Sequence, residues 1–382
     1  MVTAVPVPAS PAPASSPRLS GRTAPRRRAP AVRHLGPNWY AAVMGTAGLA
    51  TAGAALPARV PGLRTVYAGV WALSLVLLVS LLVARALHWT HHRDRARAHL
   101  ADPAVVPFYG CLSMALVAVG GGAAAVGRDW TGVRAAVALD AVLFTAGTLV
   151  GLVAAVVVPY LLGVRYRTDP AGVTPVWLLP LVAPMVSAAV GPSLVPHLPP
   201  GQARGTLLLG CLALFGLSLL AVGLTLPLVF GRLMTAGPLP LALTPTLFLV
   251  LGPLGQSVTA AGNFADAAPG ALPAPYGGAL RLLPVLYGVP VMGFALLWLA
   301  LACVHVARAR RRGMGFAMTW WAFTFPVGTC VTGAAALARH TGITAFTGLA
   351  DILYAALVVA WATAATGTVR GLVRGELLPR EH

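Results

Sequence analysis

The chain has 382 residues, of which 58% are apolar and only 9% are Asp, Glu, Lys or Arg. A soluble domain carries about 25% charged residues, so a soluble enzyme of this length could not cover its surface, and the composition implies a polytopic membrane protein. The net charge of +18 comes entirely from arginine, since no lysine occurs; with no basic face outside short loops, these charges read as topology signals rather than as a nucleic-acid surface.

Residues 1–34 begin MVTAVPVPASPAPASSPRL and then turn basic. Pro-rich polar sequence of this kind builds no core. Its charges follow the apolar positions rather than precede them, which argues against a signal peptide. The expectation is a disordered cytoplasmic arm whose Arg26, Arg27 and Arg28 hold the N-terminus inside.

Ten apolar segments follow, each near the roughly 20 residues that a membrane-spanning helix needs. They are 37–56, 66–87, 105–127, 133–163, 174–194, 205–230, 241–265, 281–306, 315–338 and 343–369. With the N-terminus inside, 20 of the 27 arginines fall on the cytoplasmic side and 7 on the outer side. That bias places both termini in the cytoplasm of a multi-pass plasma-membrane protein. The short connections predict five helical hairpins, with residues 371–382 as a short cytoplasmic tail.

The spans differ in kind. Spans 1, 3, 5, 7 and 9 carry Gly, Pro, Thr or Gln in their middles, whereas spans 2, 6, 8 and 10 are plain Leu/Ala/Val helices. Kinked backbone is tolerated at membrane depth where it is buried in protein or lines a watery path. The odd spans are therefore candidates for an inner ring, and the even spans for a lipid-facing shell.

In span 1, Trp39 and Tyr40 are candidate interface aromatics, and Gly45 and Gly48 flank Thr46. This is either a narrow polar lining or a site of close helix packing. In span 5, Pro180 and Pro184 each remove a backbone hydrogen bond and free a carbonyl. In span 7, Gly252, Pro253 and Gly255 are expected to break the helix just before Gln256, Ser257 and Thr259. A Gln in lipid is costly, so Gln256 must face protein or water. In span 9, Phe323 and Phe325 precede Pro326 and Gly328. An aromatic beside a proline kink can plug a passage and move by a rotamer change; the alternative is a core aromatic.

Among ionisable groups, Asp140 in span 4 is a possible proton relay or a helix-holding carboxylate with an Arg or hydroxyl partner, and Asp351 is expected to hold helices together in the same way. Asp266 ends span 7. The nine histidines fall mostly in loops and at span ends, which argues against a bis-His haem. Cys111, Cys211, Cys303 and Cys330 lie in apolar runs with no metal-ligand spacing. No cofactor or metal is expected, and no nucleotide-binding or hydrolase motif occurs. The chain therefore reads as a transporter rather than an enzyme, moving its cargo passively or by ion coupling.

Four segments, PNWYAAVMGTAGL, PVWLLPLVAPMVSAAVGP, LGPLGQS and WWAFTFPVGT, fall in that order in spans 1, 5, 7 and 9. Together they resemble the tellurite-resistance/dicarboxylate transporter family, which includes plant slow-type anion channels, fungal malate permeases and fungal sulfite pumps. The sulfite-pump and malate-permease branch is the most similar. The resemblance spans about residues 35–370 and implies ten helices as five hairpins around a pore, with the odd helices inside. It also implies a homotrimer with one pore per subunit and a pore-blocking Phe at position 325. It carries inner-helix kinks over to Pro184, Pro253 and Pro326. The expected cargo is a small anion: sulfite, nitrate, chloride, tellurite or a C4-dicarboxylate. Proton-coupled export of sulfite or a dicarboxylate, with Asp140 as relay, is the alternative, and a membrane haem or redox protein a remote one.

Overall fold

The computed structural model describes residue 33 and residues 35–57, 60–165 and 170–378. Apart from Arg33, the arm at 1–34 lies outside the described residues. All regular elements among the described residues are helical. Among the described residues, nine helices are long and apolar enough to cross a membrane. The remaining segment, span 1, is a 3-10 turn Pro37–Trp39 running into helix α1, Tyr40–Ala55.

The helices in chain order are α2 Leu63–His91, the short α3 Arg93–Leu100, α4 Tyr109–Gly122, α5 Val133–Arg165, α6 Leu178–Val190, α7 Gln202–Ala236, α8 Leu251–Ala267, α9 Ala274–Leu283, α10 Val289–Arg311, α11 Phe325–Thr341 and α12 Thr344–Val373. Spans 2, 4, 6 and 10 are α2, α5, α7 and α12, each essentially one long helix. Span 8 is α9 and α10 joined by a π-helical turn, Pro284–Gly288, at a proline that lacks an amide hydrogen.

The odd spans are composite, and their Gly and Pro residues explain why. Span 3 continues from α4 into a π-helical turn, Ala123–Gly127. Span 5 has 3-10 turns at both ends of α6, with Pro184 inside the helix. Span 7 enters through a ten-residue 3-10 stretch, Leu241–Val250, and becomes α8 at Leu251. Pro253 therefore sits in the first turn of α8, where a missing amide hydrogen costs no helical bond, and the break falls just before it. Span 9 is a 3-10 stretch Met318–Phe323 followed by α11, which places Phe325 and Pro326 in the first turn.

Burial separates the two classes. Over their most apolar 18 residues, spans 3, 5, 7 and 9 are 78, 83, 78 and 89% buried, against 28, 28, 28, 22 and 17% for spans 2, 4, 6, 8 and 10. In α1, 12 of 16 residues are buried. Neighbouring inner helices pack in the order α1, α4, α6, α8, α11, and α11 closes back onto α1. Each inner span also packs against the outer helix that follows it in the chain. The result is a closed five-member ring inside a shell of hairpin partners. The shell's outward side chains, such as Val156, Leu220, Leu224 and Leu297, are exposed hydrophobics whose natural solvent is lipid.

The ring is tight because small residues let backbones meet. A side chain at Gly255 of α8 would collide with the backbone of Thr329 and Cys330 on α11, at 2.5 Å. Hydroxyl and indole groups complete the joints. Ser113 Oγ of α4 donates to Gly147 O of α5 (2.7 Å) and Thr148 Oγ1 of α5 to Ser187 Oγ of α6 (2.9 Å). Trp71 Nε1 donates to Val119 O (3.0 Å) and Trp298 Nε1 to Leu247 O in the 3-10 stretch (2.9 Å).

Candidate functional site

A chamber of about 220 Å³ lies on the ring axis, and all five inner spans line it. Span 1 contributes Gly48, Thr51 and Ala55; span 3, Ala118, Gly121 and Ala125; span 5, Val186, Ala189, Val190 and Ser193. Span 7 contributes Gln256, Thr259 and Asn263; span 9, Phe325, Gly328, Thr329, Thr332 and Arg339. On each helix the contributors recur at i, i+3 and i+7, the stripe that one helix face presents.

The chamber occupies the C-terminal halves of the inner spans. Their N-terminal halves close to a neck of only about 10 Å³ lined by Met44, Met114, Leu178, Leu179, Val182, Leu249, Gly252, Phe325 and Pro326. Phe325 borders both spaces. Its ring lies against Gly48 of α1, where an added Cβ would come within 3.3 Å of Cδ2. The path is thus polar and open on one side of Phe325, apolar and closed on the other. A constriction of this kind blocks ions by excluding water.

Beyond the chamber lies a vestibule of about 970 Å³, lined in part by Arg64, Tyr67, Arg128 and Arg339. It shares Ala55 and Arg339 with the chamber wall, so the two spaces adjoin. Arg64 Nε pairs with Asp129 at 2.5 Å. Arg339 reaches Asp266 at 3.7 Å, and His340 Nε2 lies 3.3 Å from the same carboxylate. The chamber itself has no acidic side chain in its lining. Arginines at the mouth of a chamber whose described lining carries no carboxylate raise the local concentration of anions.

The family comparison fits this geometry. The family model for the voltage-dependent anion channel, SLAC1, matches residues 34–369. The chain belongs to the SLAC1 family. An uncharacterized transporter of Methanocaldococcus jannaschii, MJ0576, is 25% identical over 350 residues, covering 91% of this chain and 96% of the relative. The sulfite efflux pump SSU1 of Trichophyton rubrum is 27% identical over 330 residues, covering 81% of this chain and 83% of the relative. SSU1 of Arthroderma otae is 25% identical over 341 residues, covering 87% and 89%. The chain is accordingly a multi-pass membrane protein of an anion channel and transporter family.

Within this SLAC1-family fold, the residues singled out from sequence fall into three groups. Gln256 and Phe325 line the chamber, and Pro326 lines the neck. Pro184 and Pro253 are buried in α6 and α8 and line neither space. Gly45, Thr46 and Phe323 point elsewhere. Gly45 packs on Thr324 and Trp321 of span 9. Thr46 donates to Ala42 O (2.7 Å) and accepts Trp361 Nε1 of α12 (3.0 Å). Phe323 stacks edge-on with Phe248 (4.8 Å between centroids) and Trp320 (5.8 Å).

Two expectations are corrected. Tyr40, read as an interface aromatic, is 2% exposed. Asp140 and Asp351 have no arginine partner among the described residues: Asp351 is exposed, and Asp140 is fully buried with neither oxygen in a hydrogen bond. Asp140 sits between α5 and α4, its Oδ1 2.9 Å from where a side chain at Gly120 would begin, with the Ser193 hydroxyl as its polar neighbour. Sequence reading missed the role of Asn263, Thr332 and Arg339 at the chamber. The available signal was the i, i+7 repeat of carboxamides on α8.

Proposed function

We propose that this protein passes small anions across the plasma membrane through one pore per subunit, with Phe325 as the gate. The observation that carries the reading is a polar, acid-free chamber separated by one aromatic ring from a collapsed apolar neck on the same axis. The named activity of the SSU1 relatives makes sulfite the first cargo to test; nitrate, chloride, tellurite and C4-dicarboxylates follow. Both termini lie in the cytoplasm, so the neck faces the cytoplasm and the arginine vestibule faces outward. The ring closes within one chain, which supports a path in each subunit; the assembly proposed from the family resemblance is a homotrimer.

Ion-replacement electrophysiology of the purified chain in planar bilayers tests this. The reversal potential follows the anion gradient and ignores the cation gradient; a cation-following potential overturns the reading. Light scattering gives a mass three times that of the chain, and a reporter fused at His382 reads cytoplasmic.

Asp140 favours a second reading, proton-coupled export. A fully buried, unbonded carboxyl group whose polar neighbour Ser193 lines the chamber is placed to exchange a proton with it. In that case the reversal potential shifts with a pH gradient in the parent and loses that shift in Asp140→Asn.

A further inference from the structure

The chamber's hydroxyl groups have little to offer an anion. Thr51 Oγ1 is 3.1 Å from Ala47 O, Ser193 Oγ 2.7 Å from Val190 O, Thr329 Oγ1 2.7 Å from Pro326 O and Thr332 Oγ1 3.0 Å from Thr329 O. Thr259 Oγ1 is 3.1 Å from Gly255 O and 2.7 Å from Thr332 Oγ1. A hydroxyl has one proton and two lone pairs. One proton of the Thr259–Thr332 pair lies between the two oxygens and the other hydroxyl protons are directed at backbone carbonyls, so each hydroxyl keeps a lone pair for the chamber.

Arg339, shared by the chamber and the vestibule, is turned to Asp266 at 3.7 Å; the remaining donors come from carboxamides. Asn263 Nδ2 spends one N–H on Ala189 O at 2.7 Å and keeps the other. Gln256 is 93% buried on the chamber wall, one helical turn from Thr259, and no hydrogen bond to any described residue occupies its amide. The two carboxamides stand seven residues apart on one face of α8, a rise of about 10.5 Å.

We infer that Gln256 and Asn263 form a two-station carboxamide ladder that binds the permeating anion, and that the acceptor hydroxyls around it select oxyanions carrying one O–H over bare halides. The inference rests on the anion-passing reading above. A hydrogen-bearing oxyanion such as hydrogensulfite accepts from a carboxamide N–H and donates its O–H to the Thr259–Thr332 pair. Chloride accepts only, and faces lone pairs it cannot satisfy. Passage of the hydrogen-bearing form carries a proton with the anion and needs no relay at Asp140.

The test is permeability of the full chain in planar bilayers, with sodium hydrogensulfite against sodium chloride at mildly acidic pH. The parent prefers hydrogensulfite, and the preference falls as alkaline pH converts it to the dianion. Gln256→Met and Asn263→Leu lower the current of both anions. Thr332→Val, and independently Thr259→Val, lower the hydrogensulfite-to-chloride permeability ratio about fivefold, the worth of one hydrogen bond; Thr332→Ser restores it. Anion current unaltered in Gln256→Met and Asn263→Leu overturns the ladder alone, as does equal loss of both anions in the threonine variants. Absence of anion current from both the parent and Phe325→Ala overturns the conduction reading and the ladder with it.

Discussion

The two halves of the axial path are built from the same five helices and differ in size and polarity. On the C-terminal side of Phe325 the helices present Thr, Ser, Gln, Asn and Arg among Gly, Ala and Val around a chamber of about 220 Å³; on the N-terminal side they present chiefly Met, Leu and Val around about 10 Å³. The difference follows from side-chain size. Spans 5, 7 and 9 enter the N-terminal half as 3-10 turns and become α-helical further in, but of the neck residues only Leu249 lies in such a turn. The bulk of Met44, Met114, Leu178, Leu179, Val182 and Leu249 closes the neck, and the smaller residues further along the same helices leave the chamber open.

The comparison breaks most completely at Gly45. Its position on the neck half of α1 is filled by Thr324 and Trp321 of span 9. Gly45→Asp forces a carboxylate into that contact with no partner, and burying an unpaired charge is among the costliest changes a protein can suffer. Loss of the folded species is expected by size-exclusion chromatography after detergent extraction. Normal yield and normal flux would show that α1 is loosely held there.

Next in size is the boundary itself. Phe325→Ala joins chamber and neck and should raise anion conductance about tenfold or more, since a dewetted constriction is removed. A core Phe→Ala costs about 3–5 kcal/mol; here one side of the ring already borders open space, so the oligomer should still purify intact. Phe323→Ala, in its aromatic cluster with Phe248 and Trp320, should leave conductance near the parent value. Aggregation of Phe325→Ala, or unchanged current, would make Phe325 a core residue.

A smaller effect sharpens the gate. An added Cβ at Gly48 would lie 3.3 Å from Cδ2 of Phe325, so a larger residue there restricts the ring of the proposed gate. Gly48→Val should hold the ring closed and lower open probability about fivefold, a shift of about 1 kcal/mol, with unitary conductance unchanged. A drop in unitary conductance instead would mean that the valine narrows the path directly.

The smallest effect concerns the support of the neck. Trp298 Nε1 donates to Leu247 O in the 3-10 stretch of span 7. Trp298→Phe keeps the aromatic packing and removes one hydrogen bond, worth about 1 kcal/mol. Thermal unfolding in detergent should show a small decrease in Tm and selectivity should be unchanged.

By itself, the sequence determined the class. Low charge and long apolar runs demand a membrane solvent, and the alternation between Gly/Pro/Thr-bearing and plain segments anticipated the inner ring. The family segments in spans 1, 5, 7 and 9 lie in that ring. Tertiary structure decided which side chains meet on the axis. An inner helix such as α1 or α4 is buried on all sides, and an outer helix faces lipid on one side and protein on the other. Both are apolar all round, so the hydrophobic periodicity that marks a facing stripe in a soluble helix is erased. Gly45, Thr46 and Gly48 look equivalent in the chain, yet only Gly48 reaches the chamber. The choice among them is made by helix rotation within the ring, which is fixed by contacts between residues hundreds of positions apart, such as the hydrogen bond from Trp361 to Thr46.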